Sequence, residues 1–141
     1  MSVNALNTAV SGLQTNQFRL DTTANNLANV NTDGFQSRTV QSSDRNYIGG
    51  IGTGTQVASA NTDTRPGPVA PAADGGANVV GMGAGAGGNG GRAPAGTVEM
   101  SNTDLTREMT NLNATRVAYG VNAVMGRTAD EMTRTILDVK A

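Results

Sequence analysis

Three groups of residues have types and spacings that could do chemistry. The run Gly81-Met82-Gly83-Ala84-Gly85-Ala86-Gly87-Gly88 offers glycines at the intervals of a loop that wraps a phosphate. Such a loop works because backbone N–H groups at a strand-to-helix turn point at the anion, and an acidic residue or Gly-Lys-Ser/Thr follows it. Neither follows here and the only lysine is Lys140, so the run reads as a flexible linker. Asp130 and Glu131 could serve as an acid/base pair or as ligands for a hard cation. The chain has only 3 Glu, thinly spread, so the pair reads as solvated helix charge. Tyr119 could stack on a ligand, but it shares a helical stripe with Leu105, Met109 and Leu112 and reads as a core or interface residue. With no Cys and no His, thiolate chemistry, the commonest general base and the commonest transition-metal ligand are all missing. No catalytic residue, cofactor or metal ligand is assigned, and the chain is expected not to be an enzyme.

The elements that would position these residues are two terminal helices. Leu6, Leu13, Leu20 and Leu27 recur every seven residues, with Val10 and Ala24 four residues after two of them. That stripe predicts an amphipathic helix over about residues 3–28. Gly12 costs such a helix about 1 kcal/mol relative to Ala, so it needs a partner. A seven-residue leucine repeat is the seam of a coiled coil. Ser101 with Asp104 three residues on resembles a capping box and opens a second predicted helix that runs to about residue 139. Thr128-Ala129-Asp130-Glu131 repeats the capping pattern, so a break near Gly126 is an alternative. Leu105, Met109, Leu112, Tyr119 and Val124 fall near one direction of this helix, while Val117, Val121, Met125, Met132 and Val139 point to another side.

Between the helices the composition changes. Residues 36–97 hold short alternations such as Gln56-Val57 and Val79-Val80, and the segment 47–57 could form one or two short strands. From 61 to 96 the only Leu, Ile, Val or Phe residues are Val69, Val79 and Val80, set among Pro, Ala and Gly. So little burial does not offset about 1–2 kcal/mol of backbone entropy per residue, and an extended or mobile loop is expected. The chain therefore divides into 1–35, a helix with an Asn-rich turn; 36–97, a low-complexity middle with at most short strands; and 98–141, the C-terminal helix. The expected fold is mainly α, with the two amphipathic helices paired as an antiparallel coiled coil and joined by a Gly/Pro/Ala-rich loop.

Composition bounds the function. Leu, Ile, Val and Phe occupy 25 of 141 positions, too few for a large self-contained core. Ten Lys and Arg nearly cancel eleven Asp and Glu, leaving a formal charge of -1. That balance argues against nucleic acid and against a polybasic membrane anchor. No apolar run approaches the length of a membrane span, and Met1-Ser2-Val3-Asn4 has neither the basic start nor the apolar stretch of a cleaved leader. No small-molecule substrate and no direct membrane insertion are expected. Pairing the two helices buries one face of each, and the second face of the C-terminal helix is left for other chains to cover.

Ser11-Gly12-Leu13 followed by Asn25-Asn26-Leu27-Ala28-Asn29-Val30-Asn31-Thr32-Asp33-Gly34-Phe35 resembles the N-terminal signature of the bacterial flagellar rod and hook axial proteins. Val98-Glu99-Met100-Ser101-Asn102-Thr103-Asp104-Leu105, Glu108-Met109, Asn111-Leu112, Ala118-Tyr119, Asn122-Ala123 and Thr128-Ala129-Asp130-Glu131-Met132 are similar to the matching C-terminal end. Ile51-Gly52-Thr53-Gly54-Thr55-Gln56-Val57 resembles a segment of distal rod members. The short length is nearer the proximal ones.

The resemblance implies a rod subunit of the flagellar basal body. It would be exported by the flagellar type III apparatus without a cleaved leader, and assembled with its own copies and other rod proteins into a torque-transmitting shaft. A hook or hook-junction component, or a soluble export-linked binding module, are the alternatives. Under this reading the helix seams are Leu6, Val10, Leu13, Leu20 and Leu27 with Leu105, Met109, Leu112, Tyr119 and Val124. The outer interface is Val117, Val121, Met125 and Met132. The family turn comprises Asn25, Asn26, Asn29, Asn31, Thr32, Gly34 and Phe35.

Overall fold

A computed structural model describes residues 2–45, 54–71 and 97–139. Helix α1 spans Ser2–Ala28 and helix α2 spans Leu105–Val139. Strands β1 (Arg38–Asp44) and β2 (Thr55–Thr62) form one antiparallel pair, and β3 (Val69–Pro71) and β4 (Thr97–Glu99) form another. The glycine-rich run 81–88, Val79-Val80 and the segment 46–53 lie outside the described residues. No helix among the described residues is long and apolar enough to cross a membrane.

The helices lie side by side and run in opposite directions: Asn26 bonds Glu108, Gly12 meets Asn122, and Gly126 meets Ala9. The contact line is built from small and polar residues. Ala9, Gly12, Asn16, Thr23 and Asn26 are buried on α1, and Glu108, Thr115 and Ala129 on α2. The first set recurs at intervals of three, four or seven residues and the second at seven and fourteen, so they trace one side of each helix. Helix α2 runs unbroken through Gly126. Thr128, the first residue of the second capping pattern, donates instead to the carbonyl of Val124 within the same helix. Asp104 is the true N-cap of α2: its Oδ1 accepts from the N–H groups of Thr106 and Arg107 at 2.9 and 3.1 Å. Ser101 serves the turn before it, taking the N–H of Thr103.

The expected fold class needs correction. The chain is not a mainly α coiled coil joined by a loop with at most short β segments, because two antiparallel sheets lie between the helices and β1 and β2 run for 7 and 8 residues. The physical reason lies in what holds these strands. Their residues are largely Thr, Ser, Gln and Asn, and Val40 and Val57 are their only branched aliphatics. A backbone ladder and hydrogen bonds from α1 stabilise them, and counting apolar residues registers neither. The loop expected from residue 61 onward is likewise ordered through 71. Asn61 and Thr62 complete β2 opposite Thr39 and Arg38, and Val69 pairs with Glu99. The β1–β2 register slips between Gln41, opposite Ser59, and Ser42, opposite Val57, so Ala58 is the extra residue of a bulge.

Candidate assembly interface

The hairpin β1–β2 is attached to α1 by polar side chains at three heights. At one end the Asn26 amide accepts the Arg38 N–H at 2.9 Å and donates to the Arg38 carbonyl at 2.7 Å, as a neighbouring strand would. Midway, Arg19 Nη2 donates to Ser42 Oγ at 2.9 Å. At the other end Ser11 Oγ accepts the Thr55 N–H at 3.1 Å while the Thr15 and Thr55 hydroxyls share a bond of 3.2 Å. Gly54, at φ +110°, brings the chain so close that a Cβ there would sit on Ser11 Oγ. Helix α1 thus has one side against α2 and another against the hairpin.

The predicted seam residues range from half-buried to exposed. Leu13, Leu20 and Leu27 are half-buried, while Leu6 is 38% and Val10 44% exposed. On α2, Leu112 is half-buried, and Leu105, Met109, Tyr119 and Val124 are exposed. The predicted outer residues Val117, Val121, Met125 and Met132 are all more than half exposed, and so are Ile136, Leu137 and Val139. Isolated exposed aliphatics are ordinary, but this many on two adjacent helices form a surface that water covers at a cost.

The turn motif is brought to a single place. Asn29 donates through Nδ2 to the Asn25 carbonyl and accepts from the Thr32 hydroxyl, and the Phe35 N–H reaches the Thr32 carbonyl. Gly34 takes φ +66°, which lets its N–H bond the Glu99 carbonyl at 2.7 Å. Asn25, Asn31, Thr32 and Gly34 are exposed, Asn29 and Phe35 half-buried, and Asn26 fully buried.

Sequence reading assigned no individual role to Ser11, Arg19, Asn102 or Glu108. Asn102 takes the Ser37 N–H on its Oδ1 at 2.7 Å and donates to the carbonyls of Asp63 and Arg65. Glu108 is buried and receives the second N–H of Asn26 at 3.1 Å. A usable signal existed: Glu108 lies between Leu105 and Leu112, where a solvated helix face would not be expected.

Electrostatics are local. The guanidinium of Arg65 bonds Asp63 through Nε and Nη2, and with the Arg65 N–H it pulls the Asp63 carboxyl down to about 2 from 3.8. The same pairing raises Arg65. Arg127 with Glu131 and Arg134 with Asp130 are exposed pairs one helical turn apart. The described residues include no cluster able to hold a metal. Two shallow surface hollows of about 340 and 250 Å³ lie beside Asn102 and Glu108.

Exposed apolar side chains along both helices, with buried polar side chains at the joints between elements, fit the class of structural subunits. Comparison with protein families gives the same class. The family described as flagella basal body rod protein matches residues 6–36, and the flagellar basal body rod FlgEFG protein C-terminal family matches residues 95–139, together just over half of the chain. The chain belongs to the flagellar basal body rod protein family, as the resemblance at its two ends implied. It is a structural component of the rod, it is placed in the flagellar basal body, and it assembles with other rod proteins. A search of curated proteins gave no match.

Proposed function

We propose that the chain is a wall subunit of the rod, packing through its helices against copies of itself and other rod proteins to make a shaft that carries torque. The observation behind this reading is the exposure of large apolar side chains along both helices, with Val117 at 64% and Val124 at 66%. Covering a Val or Leu removes about 1.5–3 kcal/mol of unfavourable hydration per fully buried side chain, so neighbours on these faces are strongly favoured. Leu6, Val10, Leu13, Leu20, Leu27, Leu105, Met109, Leu112, Tyr119 and Val124 form one set of contacts in the assembled rod. Val117, Val121, Met125 and Met132 form the other. Many helices locked side by side through such faces resist the shear that torque imposes. Delivery is by the flagellar type III export apparatus. The domain division 1–35, 36–97 and 98–141 assigns assembly to the two ends.

The test is fractionation and imaging of basal bodies from cells producing a tagged chain. Retention with the rod, and density for the chain in its wall, is the expected result. A chain found only in soluble form with one partner would favour a regulatory module instead, and a chain found only beyond the rod would favour a hook-junction component.

A further inference from the structure

Ser37 and Arg38 lie where α1, both sheets and the start of α2 converge. All four of their backbone polar groups are satisfied by other segments. The Ser37 N–H goes to Asn102 Oδ1 at 2.7 Å and its carbonyl accepts the Asp63 N–H at 2.8 Å. The Arg38 N–H and carbonyl both go to the amide of Asn26. The two asparagines use their side chains alike, each accepting one N–H and donating two. Asn26 donates to Arg38 and to Glu108 of α2; Asn102 donates to the carbonyls of Asp63 and Arg65. Around them, the Gly34 N–H meets the Glu99 carbonyl, the Asn102 N–H the Phe35 carbonyl, and the Met100 N–H the Pro68 carbonyl.

We infer that Asn26 and Asn102 form a two-amide latch that makes helix pairing and the formation of both sheets one cooperative step. Asn26 is 1% exposed, so losing any of its three bonds leaves a donor or acceptor without water to replace it. Ser37 and Ser101 beside the latch are buried too. A network in which every member is satisfied is stable only as a whole, because removing one member strands the others. The consequence is structural selectivity. α1 reaches Glu108 only with the donor of an amide whose other groups hold Arg38, so the correct helix register and the correct strand start are chosen together. The latch positions the outer faces of the helices.

Native-state amide exchange on the full chain in sub-denaturing urea tests this. The amides of Ser37, Arg38, Asp63 and Met100, with that of Glu108 in the first turn of α2, are expected to share one opening transition with one urea dependence. Arg38 or Met100 opening separately, at lower urea than Glu108, would overturn the latch. Asn26→Leu and Asn102→Leu supply the second arm. Each is expected to speed exchange at all of these sites at least tenfold, and the double variant to be little worse than either single one. Acceleration confined to Arg38 in the first variant and to Ser37 in the second, or multiplicative effects in the double variant, would show two independent bonds and refute the inference. If the Leu variants fail to fold, the urea series on the unmodified chain decides alone.

Discussion

Gly12 and Asn122 face each other across the two helices so closely that a Cβ on Gly12 would lie 2.7 Å from Nδ2 of Asn122. The glycine that weakens α1 in isolation is what lets α2 approach it. Its cost in helix propensity is offset by the close packing it permits.

Enlarging this position should therefore be costly in proportion to what stands opposite. Gly12→Val is expected to lose about 1–3 kcal/mol in urea unfolding, the usual range for overpacking. Asn122→Ala should recover part of that loss by removing the opposing amide. An equal loss in both backgrounds would show that the two residues do not meet.

Ala9 and Gly126 give an independent check on the pairing. The Cβ of Ala9 lies 3.7 Å from where a Cβ on Gly126 would stand, within the span of a disulfide. Because the chain has no cysteine of its own, Ala9→Cys with Gly126→Cys should close a single intrachain bridge under mild oxidation. A loop of this length predicts a gain of about 4–5 kcal/mol in the chain-entropy account, read from melts with and without reductant. Intermolecular dimers without intrachain closure on a non-reducing gel would contradict the helix register.

Asp63 makes the acid response specific. Its folded carboxyl is held at about 2, below the 3.8 of an unperturbed group, mainly by the Arg65 side chain. A depressed carboxylate contributes stability that is fully present above its unfolded value and lost as pH falls through the folded one, here from about pH 4 down to 2. Following the Asp63 carboxyl by NMR should show titration near 2, moving up towards the ordinary range in Arg65→Ala. No movement would mean that the backbone, not the guanidinium, holds it. Asp63 is only half-buried and its partner Arg65 is exposed to solvent, so the effect on global stability is small.

The apolar faces separate folding from assembly. Val121 is 54% exposed, so Val121→Asp should leave helix content by circular dichroism nearly unchanged while strongly reducing incorporation into rods and motility. Leu20 is half-buried, and Leu20→Asp should impair both, by burying a charge that has no partner. Normal rods in the Val121 variant would remove that face from the assembly contacts.

The sequence by itself determined the two helices almost to the residue. Leu6 to Leu27 and Leu105 to Val139 carry a period that only a helix satisfies, and the Asn-rich run ending at Asp33-Gly34 marks where α1 must stop, as it does near Ala28. It also determined the family, because a signature at each end in the correct order is a property of the chain alone. The tertiary structure decided which side of each helix meets the other. Hydrophobic periodicity points to leucines, but Ala9, Gly12 and Gly126, which have little side chain to keep backbones apart, stand on the contact line. It decided the sheets as well. A strand such as Arg38–Asp44, with one valine, is held by a ladder to β2 and by amides reaching across from Asn26 and Arg19. Those bonds depend on where distant backbone groups arrive in space, which no local pattern of residues encodes.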